Sequence, residues 1–344
     1  MIPLGRKIKQ NKNSSPELLA QVNPENIELK KEFLSYLRSI GRSEGTISGY
    51  NNDLDGCFCW ILQNAKNKAF KDLTKRDVIN FQNYLLYENK NSPARIRRIK
   101  AAMSSLSNYI DNILVGEEPE YDDYRPIVRK IESPTLQPVQ EKTVFSEEEI
   151  DSLLQKLTDM GEYEKACMLA LAVYSGRRKA ELLRFKMSDF GKDHVICDGA
   201  LYESDKILTK GNKMLNCYTL KKKFDPYLNA WIKERKRLGI DSEWLFPKRE
   251  DMSVARNTDT VNSWAATFSR LSGRDFYWHL CRHFYCTMCS KAGLPDGVIV
   301  EMVGWSDSSL LRKVYLDLTK EETLSGHFKD GDIYIPETTN IGDI

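Results

Sequence analysis

Hydrophobic positions between residues 24 and 114 recur at the three- and four-residue spacing of amphipathic helices. Four such stripes predict four helices that bury their apolar faces in one compact helical domain. The main stripe members are Phe33, Tyr36, Leu37 and Ile40; Ile47, Tyr50, Leu54 and Ile61; Val78, Phe81 and Leu85; and Ile96, Ile99, Met103, Leu106 and Ile113.

Short polar signals predict where several helices begin. Thr74 with Asp77 three positions later has the spacing of a capping box, and so does Ser146 with Glu149. Ser92-Pro93 predicts the start of the fourth helix, because proline at the first helical position sacrifices no hydrogen bond.

Composition changes divide the chain into two domains. Residues 115–142 contain four prolines, an acidic cluster and no helical period, which predicts a linker. The second domain is expected to be mostly helical, with strand-like runs over 194–220 on either side of a turn at Lys210-Gly-Asn-Lys213. The predicted division is a flexible basic arm over 1–23, a helical domain over 24–114, the linker over 115–142, a second domain over 143–335 and a tail over 336–344.

The composition fits a globular chain with two cores, since 41% of the 344 residues are hydrophobic and 29% are charged. The longest uninterrupted apolar run, Ala166 to Tyr174, has nine residues, whereas a bilayer span needs about 20. Residues 1–23 lack the apolar core of a secretory signal, and the eight cysteines are irregularly spaced. We therefore expect a cytoplasmic protein with no membrane association.

The net charge of +2 conceals an uneven distribution of charge. Residues 1–114 hold 18 Lys or Arg against 11 Asp or Glu, a net of +7, whereas residues 115–150 hold 4 against 10, a net of −6. Four cations crowd the start of the fourth helix, and no carboxylate lies between Glu88 and Asp111 to balance them. They form either a solvated face or a phosphate-contacting face. These cations are Arg95, Arg97, Arg98 and Lys100.

Two segments of the second domain hold cations placed to meet an anion. After an apolar helix that ends at Gly176, Arg178 and Glu181 are spaced one helical turn apart. An arginine at the start of a helix places its guanidinium where the backbone N–H groups also favour an anion. Lys210 lies in the predicted turn, whose side chains project away from the sheet. Alone, each has an ordinary explanation as a surface ion pair or a solvated lysine.

Two later segments add a donor and a nucleophile. His279 and Arg282 are one turn apart, so one helix face combines a hydrogen-bond donor with a bidentate phosphate fork. Gly304-Trp305 is followed ten residues later by Tyr315, in a cationic segment.

The order of these segments resembles the tyrosine recombinase family of phage-type integrases and site-specific recombinases. The matching residues are Gly176-Arg-Arg178-Lys-Ala-Glu181-Leu, Lys210-Gly-Asn-Lys213, His279-Leu-Cys-Arg282-His283, Gly304-Trp305 and Tyr315. The amino-terminal part is similar to the family's core-binding domain, in particular at Arg95-Ile-Arg-Arg-Ile-Lys-Ala-Ala-Met103. The resemblance implies a mainly α fold with a small antiparallel β-sheet. It also implies a two-domain DNA clamp, with a SAM-like four-helix core-binding domain and an α+β DNA breaking-rejoining catalytic domain.

The resemblance also implies a role for each residue. Tyr315 is the nucleophile, Lys210 is the general acid, and Arg178 and Arg282 clamp the scissile phosphate. His279 and Trp305 hydrogen-bond to or pack around the same phosphate, and Glu181 supports the network. No metal or cofactor is implied, because a phosphotyrosyl link conserves the phosphodiester energy. The implied partners are double-stranded DNA, a homotetramer on two recombination sites and accessory DNA-bending proteins, with a nucleoid-associated location.

The sequence departs from the family pattern beside two of these residues. Arg177 fills a position that is usually apolar, and we assign the clamp to Arg178 because only it has an acidic residue three positions later. The step from Trp305 to Tyr315 is one residue longer than is typical, and the nearest other tyrosines are Tyr285 and Tyr334.

Four other interpretations compete with a recombinase. His279, His283, Cys286 and Cys289 include zinc-binding residue types, but one straight helix cannot wrap four ligands around an ion. A catalytically inactive DNA-binding protein of the same fold would not need the full residue set. A type IB topoisomerase uses similar residues, but the small helical domain favours a recombinase. The fourth interpretation is a helical scaffold with none of these activities.

Overall fold

The computed structural model describes residues 14–135, 144–209, 213–305, 311, 328–329 and 332–333. These residues fall into two units divided along the sequence at about residue 141, and each unit has its own buried hydrophobic core. Within the described ranges, no helix has the length and apolar character needed to cross a bilayer.

The first unit is built from helices that follow the predicted stripes. Phe33, Leu54 and Ile96 are each fully buried in its core, which confirms the helix faces. Ile40 and Ile113 are exceptions, since 47% and 40% of their surfaces are exposed. The helices are α1 (Pro16–Leu19), α2 (Pro24–Ser39), α3 (Glu44–Asn64), α4 (Lys75–Asn83) and α5 (Pro93–Tyr109).

The predicted helix starts are confirmed in atomic detail. The backbone N–H of Asp77 donates to the Thr74 hydroxyl while the Asp77 carboxylate accepts from the Thr74 N–H, which is a capping box. Ser146 and Glu149 form the same reciprocal pair. Proline occupies the first turn of α5 after the Ser92 cap.

The first unit also takes up segments outside the predicted 24–114 boundaries. In the interval predicted as a linker, Tyr121 and Val128 are 7% and 1% exposed and lie in the first core. Short 3₁₀ turns pack them there without a helical period, so the hydrophobic pattern did not reveal them. In the predicted arm, Val22 is 4% exposed in the same core, and α1 precedes it.

The second unit is organised around α7, which is buried on every side. Each residue from Ala166 to Ser175 is buried, so the long apolar run of the sequence forms the central helix. α7 contacts α6, α9 and α11. The helices are α6 (Glu147–Asp159), α7 (Tyr163–Ser175), α8 (Lys179–Leu182), α9 (Lys221–Arg237), α10 (Thr258–Ser272), α11 (His279–Lys291) and α12 (Asp296–Val303).

The predicted β-region contains five short strands rather than two long runs. The strands β1 and β5 flank β2 in an antiparallel sheet, in which Leu201 pairs with Leu220. Within this sheet's connection, β3 and β4 form an antiparallel hairpin that pairs Ile207 with Leu215. A further antiparallel pair joins β6 and β7. The strands are β1 (Val195–Ile196), β2 (Leu201–Glu203), β3 (Ile207–Leu208), β4 (Met214–Leu215), β5 (Tyr218–Leu220), β6 (Phe328–Lys329) and β7 (Asp332–Ile333).

The hairpin strands are paired up to the base of the predicted turn, where the Thr209 N–H donates to the Lys213 carbonyl at 2.7 Å. Residues 210–212 of the predicted turn lie outside the described residues. The strand pairing is interrupted between the β2–β5 pair and the β3–β4 hairpin. There the Cys217 N–H donates to the Ser204 hydroxyl at 3.0 Å instead of to a backbone carbonyl.

Candidate active site

The turn between α7 and α8 presents Arg178 together with Glu181. α7 ends at Gly176 in the left-handed conformation, with φ +61°, and Arg178 caps α8. Glu181 is 2% exposed, and its carboxylate accepts the Arg178 N–H and an Nη1 hydrogen bond, each at 3.1 Å. The Arg178 side chain keeps 32% of its surface exposed. A buried acid thus orients an arginine that can still meet a ligand.

The start of α11 presents His279 and Arg282. His279 is the first residue of the helix and is exposed, whereas Arg282 is 1% exposed. Arg282 donates from Nη2 to the Val303 carbonyl at 2.8 Å, and its guanidinium lies 4.5 Å from the centroid of the Trp305 ring. Two residues predicted separately, Arg282 and Trp305, are therefore in cation–π contact, which holds the guanidinium of Arg282 in place.

Close packing joins the α7–α8 turn to α11. A Cβ on Gly176 would lie 2.4 Å from Cδ1 of Tyr285, which stands one turn after Arg282. Glycine is required here for two reasons, the left-handed backbone and this contact. The Arg178 turn and the Arg282 helix are consequently held as one assembly.

Arg177 occupies a place that the sequence did not predict. It is 2% exposed and donates to two backbone carbonyls, from Nη2 to Asn216 at 2.5 Å and from Nη1 to Val303 at 3.5 Å. The same Val303 carbonyl accepts from Arg282. A charged residue directly after a buried helix was the available signal, but its partners are distant in sequence.

Two predicted catalytic residues, Lys210 and Tyr315, lie outside the described residues, as does Tyr334. Tyr285 has a structural role. It is fully buried, donates its hydroxyl to the Met302 sulfur at 3.5 Å, and has a pKa raised well above its usual value by burial. A neutral, solvent-excluded phenol of this kind is poorly suited to attack a phosphate.

The four cations of α5 lie in the first unit and differ in their exposure and in their partners. Arg95 and Arg98 pair with Asp53 of α3, at 2.5 and 3.5 Å, so the expected lack of a balancing carboxylate is wrong. The counter-ion comes from a neighbouring helix, which the local sequence could not show. Lys100 is 5% exposed and donates to Gln82 and to the Ile131 and Glu132 carbonyls, which removes it from the predicted DNA-facing surface. Arg97 is exposed and donates to the Pro134 carbonyl.

The zinc interpretation finds little support in the chemistry of α11. Burial raises the pKa of Cys286 and Cys289 to about 12 each, which disfavours the thiolate that binds zinc. Within the part of the chain that the structure describes, no three His, Cys, Asp or Glu side chains cluster as metal ligands.

Comparisons with known proteins agree with this geometry. The chain is 28% identical over 230 residues to the SPbeta prophage-derived recombinase-like protein YomM of Bacillus subtilis, a match that covers 66% of each protein. It is 24% identical over 302 residues to the tyrosine recombinase XerD of Oceanobacillus iheyensis, covering 84% of this chain and 93% of XerD.

Solved structures share the fold. XerH recombinase bound to palindromic difH DNA aligns with a TM-score of 0.65 and 16% identity, covering 92% of this chain and 90% of XerH. A λ integrase tetramer bound to a Holliday junction aligns with a TM-score of 0.62 and 14% identity, covering 85% of this chain and 77% of that protein. Residues 143–322 match the phage integrase family. Because this match spans more than half of the sequence, the chain belongs to the phage integrase family, the tyrosine recombinases that its motifs resemble.

Proposed function

We propose that the protein is a site-specific recombinase that cleaves and rejoins DNA through a covalent 3′-phosphotyrosyl intermediate. The observation that supports this proposal is that two arginine guanidinium groups are held in place in the second unit. Arg178 is oriented by buried Glu181, while Arg282 is anchored on the Val303 carbonyl and stacked on Trp305. Arginine forks match two phosphate oxygens at once, so this arrangement suits a phosphodiester.

The proposed reaction transfers a phosphoryl group from DNA to tyrosine and back. The Tyr315 hydroxyl loses its proton to solvent as its oxygen attacks the scissile phosphorus, the bond to the 5′-oxygen breaks, and Lys210 donates a proton to that leaving oxygen. The products are a 3′-phosphotyrosine and a 5′-hydroxyl end. The 5′-hydroxyl of a partner strand then attacks the phosphotyrosine, releases Tyr315 and completes strand exchange.

The described residues would stabilise the charge that builds on the phosphate. Arg178 and Arg282 would contact the non-bridging oxygens, and Glu181 would hold Arg178 in position without touching the substrate. His279 begins α11 on its exposed side, where it can donate a further hydrogen bond. Trp305 would pack beside the phosphate through its contact with Arg282.

The proposal includes DNA binding by the first unit and assembly into a homotetramer on two sites. Arg97 and the exposed portions of Arg95 and Arg98 would contact phosphates, since 33% and 56% of the latter two side chains remain accessible. The tetrameric λ integrase complex supports the assembly state. DNA-bending accessory proteins and a nucleoid-associated location belong to the same proposal.

A covalent-trapping experiment tests the chemistry. A binding site is first selected from a randomised duplex pool by the protein itself. The selected duplex is then nicked a few bases 3′ of the scissile phosphate, so that the short 5′-hydroxyl fragment diffuses away and the adduct accumulates. We expect a denaturant-resistant protein–DNA adduct with the wild type and none with Tyr315→Phe.

Tyr285→Phe is the matched control, because it removes the hydroxyl of a buried tyrosine in the same unit. It should retain the adduct. An adduct that persists in Tyr315→Phe would overturn the nucleophile assignment. Relaxation of supercoiled plasmid lacking the selected site would favour the topoisomerase alternative, and binding without any adduct would favour the inactive DNA-binding protein.

A further inference from the structure

We propose that Arg177 is a positioning residue that holds the hairpin flanking Lys210 against the end of α12, and so governs the leaving-group step. This inference rests on the proposed function. Arg177 itself touches no reacting atom in the proposed reaction.

The contacts of Arg177 join two separate segments of the second unit. Nη2 binds the carbonyl of Asn216, the residue that follows strand β4 of the hairpin. Nη1 reaches the carbonyl of Val303, the last residue of α12. One rigid, planar guanidinium therefore sets the spacing between the hairpin base and the segment that leads into Trp305.

The surroundings show that space is reserved for this bridge. A Cβ on Gly304 would lie 2.6 Å from Nη1 of Arg177 and 3.0 Å from Cδ1 of Leu215 in β4. The guanidinium and the hairpin strand thus pack directly against the Gly304 backbone. A side chain at this position would force them apart.

Within the described ranges, Arg177 has no carboxylate at ion-pair distance. Among the described residues its hydrogen bonds go to neutral carbonyl oxygens, and its Nε has no hydrogen-bond partner. Burying a cation in this way is costly, so stability alone is a poor reason for it. An apolar side chain would fill the volume but could not bind two carbonyls.

The hairpin matters because its strands flank residues 210–212, and Lys210 is the proposed general acid. Proton donation requires hydrogen-bond reach to the leaving oxygen, so a loosened hairpin would impair this step first. Arg282 shares the Val303 carbonyl with Arg177, but the phosphate clamp also has contacts that Arg177 does not make, namely Glu181 with Arg178 and Trp305 with Arg282. Loss of Arg177 should therefore resemble partial loss of Lys210.

Changing the leaving group of the substrate distinguishes two roles for Arg177, positioning of the general acid Lys210 and general support of the fold. Single-turnover cleavage is measured on the nicked duplex with its natural 5′-oxygen, and again with sulfur as the 5′-bridging atom. The phosphorus–sulfur bond breaks to release a thiolate, which needs no proton because thiols are much more acidic than alcohols. We expect Arg177→Met to cleave the oxygen substrate roughly 30-fold or more slowly than wild type. It should cleave the sulfur substrate within about threefold of wild type.

Arg235→Met is the matched structural control. Arg235 is another buried arginine of this unit, 5% exposed, which donates to the Ser242, Trp244 and Leu245 carbonyls. It should lower thermal stability without changing the oxygen-to-sulfur rate ratio. Arg177→Lys provides a gentler variant if the methionine variant folds poorly. It keeps the charge but cannot span both carbonyls, and we expect the same selective defect.

Equal slowing of both substrates by the Arg177 variants, or no slowing of either, would overturn the inference. Lys210→Ala should show sulfur rescue in the same assay. No adduct from the wild type, or no rescue of Lys210→Ala, would overturn the proposed function itself, and the inference with it. The wild-type and Lys210 measurements thus distinguish the two failures.

Discussion

Replacing Asp53 with asparagine should selectively destabilise the first unit. The Asp53 side chain is 1% exposed and faces Arg95 and Arg98 of α5, with the nearer nitrogen at 2.5 Å. Neither carboxylate oxygen accepts a hydrogen bond of good geometry, so the attraction is mainly coulombic. Asparagine keeps the shape and volume but removes the charge that ties α3 to α5.

The expected loss follows from the burial of the partners. Removing one member of a fully buried ion pair costs about 3–5 kcal/mol, because the other charge is left without compensation. Here the Arg95 and Arg98 side chains are 33% and 56% exposed and can recover hydration, so we expect about 2 kcal/mol. Since about 1.4 kcal/mol is a tenfold change in an equilibrium constant, protected amides should open roughly 30 times more often.

Native-state hydrogen exchange followed by mass spectrometry measures this loss within the intact chain. Peptides from α3 and α5 should exchange roughly 30-fold faster in Asp53→Asn, while α7 peptides keep the wild-type rate. Glu28→Gln is the control, because Glu28 is 59% exposed in its pair with Lys31, and its loss should cost less than about 1 kcal/mol. Exchange within threefold of wild type in α3 and α5, or equal acceleration in α7, would refute the reasoning.

Four further substitutions test other parts of the structure. Lys100→Met should cost about 1–3 kcal/mol, because it removes the hydrogen bonds that the ammonium donates to Gln82 and to the Ile131 and Glu132 carbonyls. Salt titrations of DNA binding should keep the wild-type slope, whereas Arg97→Gln should lower the slope by about 0.9. Gly304→Ala should destabilise the second unit by at least about 1–2 kcal/mol in denaturant titrations, because φ is +70° there. Partial burial, the largest single influence, raises the pKa of Glu149. The hydrogen bonds from Arg274 and from the Ser146 N–H, together with the Arg274 charge, outweigh it and hold that pKa below its usual 4.5. Glu149 therefore stabilises the folded state above about pH 4.5, and this contribution disappears as the pH falls through the lowered pKa. In Glu149→Gln, the free energy of unfolding should therefore fall less steeply than in the wild type as the pH is lowered below about 4.5.

Local signals in the sequence predicted local structure well. The capping boxes at Thr74 and Ser146 and the buried run of α7 appear as expected, because each depends on residues within one or two helical turns. The motif resemblance also led to the correct family and fold. The assigned catalytic roles remain predictions.

The sequence patterns did not predict interactions between segments that are distant along the chain. Asp53 precedes Arg95 by many residues, and no periodicity connects them, so the charge balance of α5 was judged incorrectly. Lys100 could have been identified, since it follows Ile96 by one helical turn and thus shares the buried face of α5. Arg177 could not, because its partners are backbone carbonyls whose positions only the fold defines.

The shared Val303 carbonyl has a consequence for mutational tolerance. Both arginines that meet there bind the main chain, so the anchor is independent of the side chain at position 303. In a saturation library selected for recombination, position 303 should accept other apolar residues that fill the same buried space. Position 304 should accept only glycine, because any Cβ enters the space of Arg177. Two adjacent positions would thus differ sharply in permitted sequence, although the anchoring atom belongs to the more permissive one.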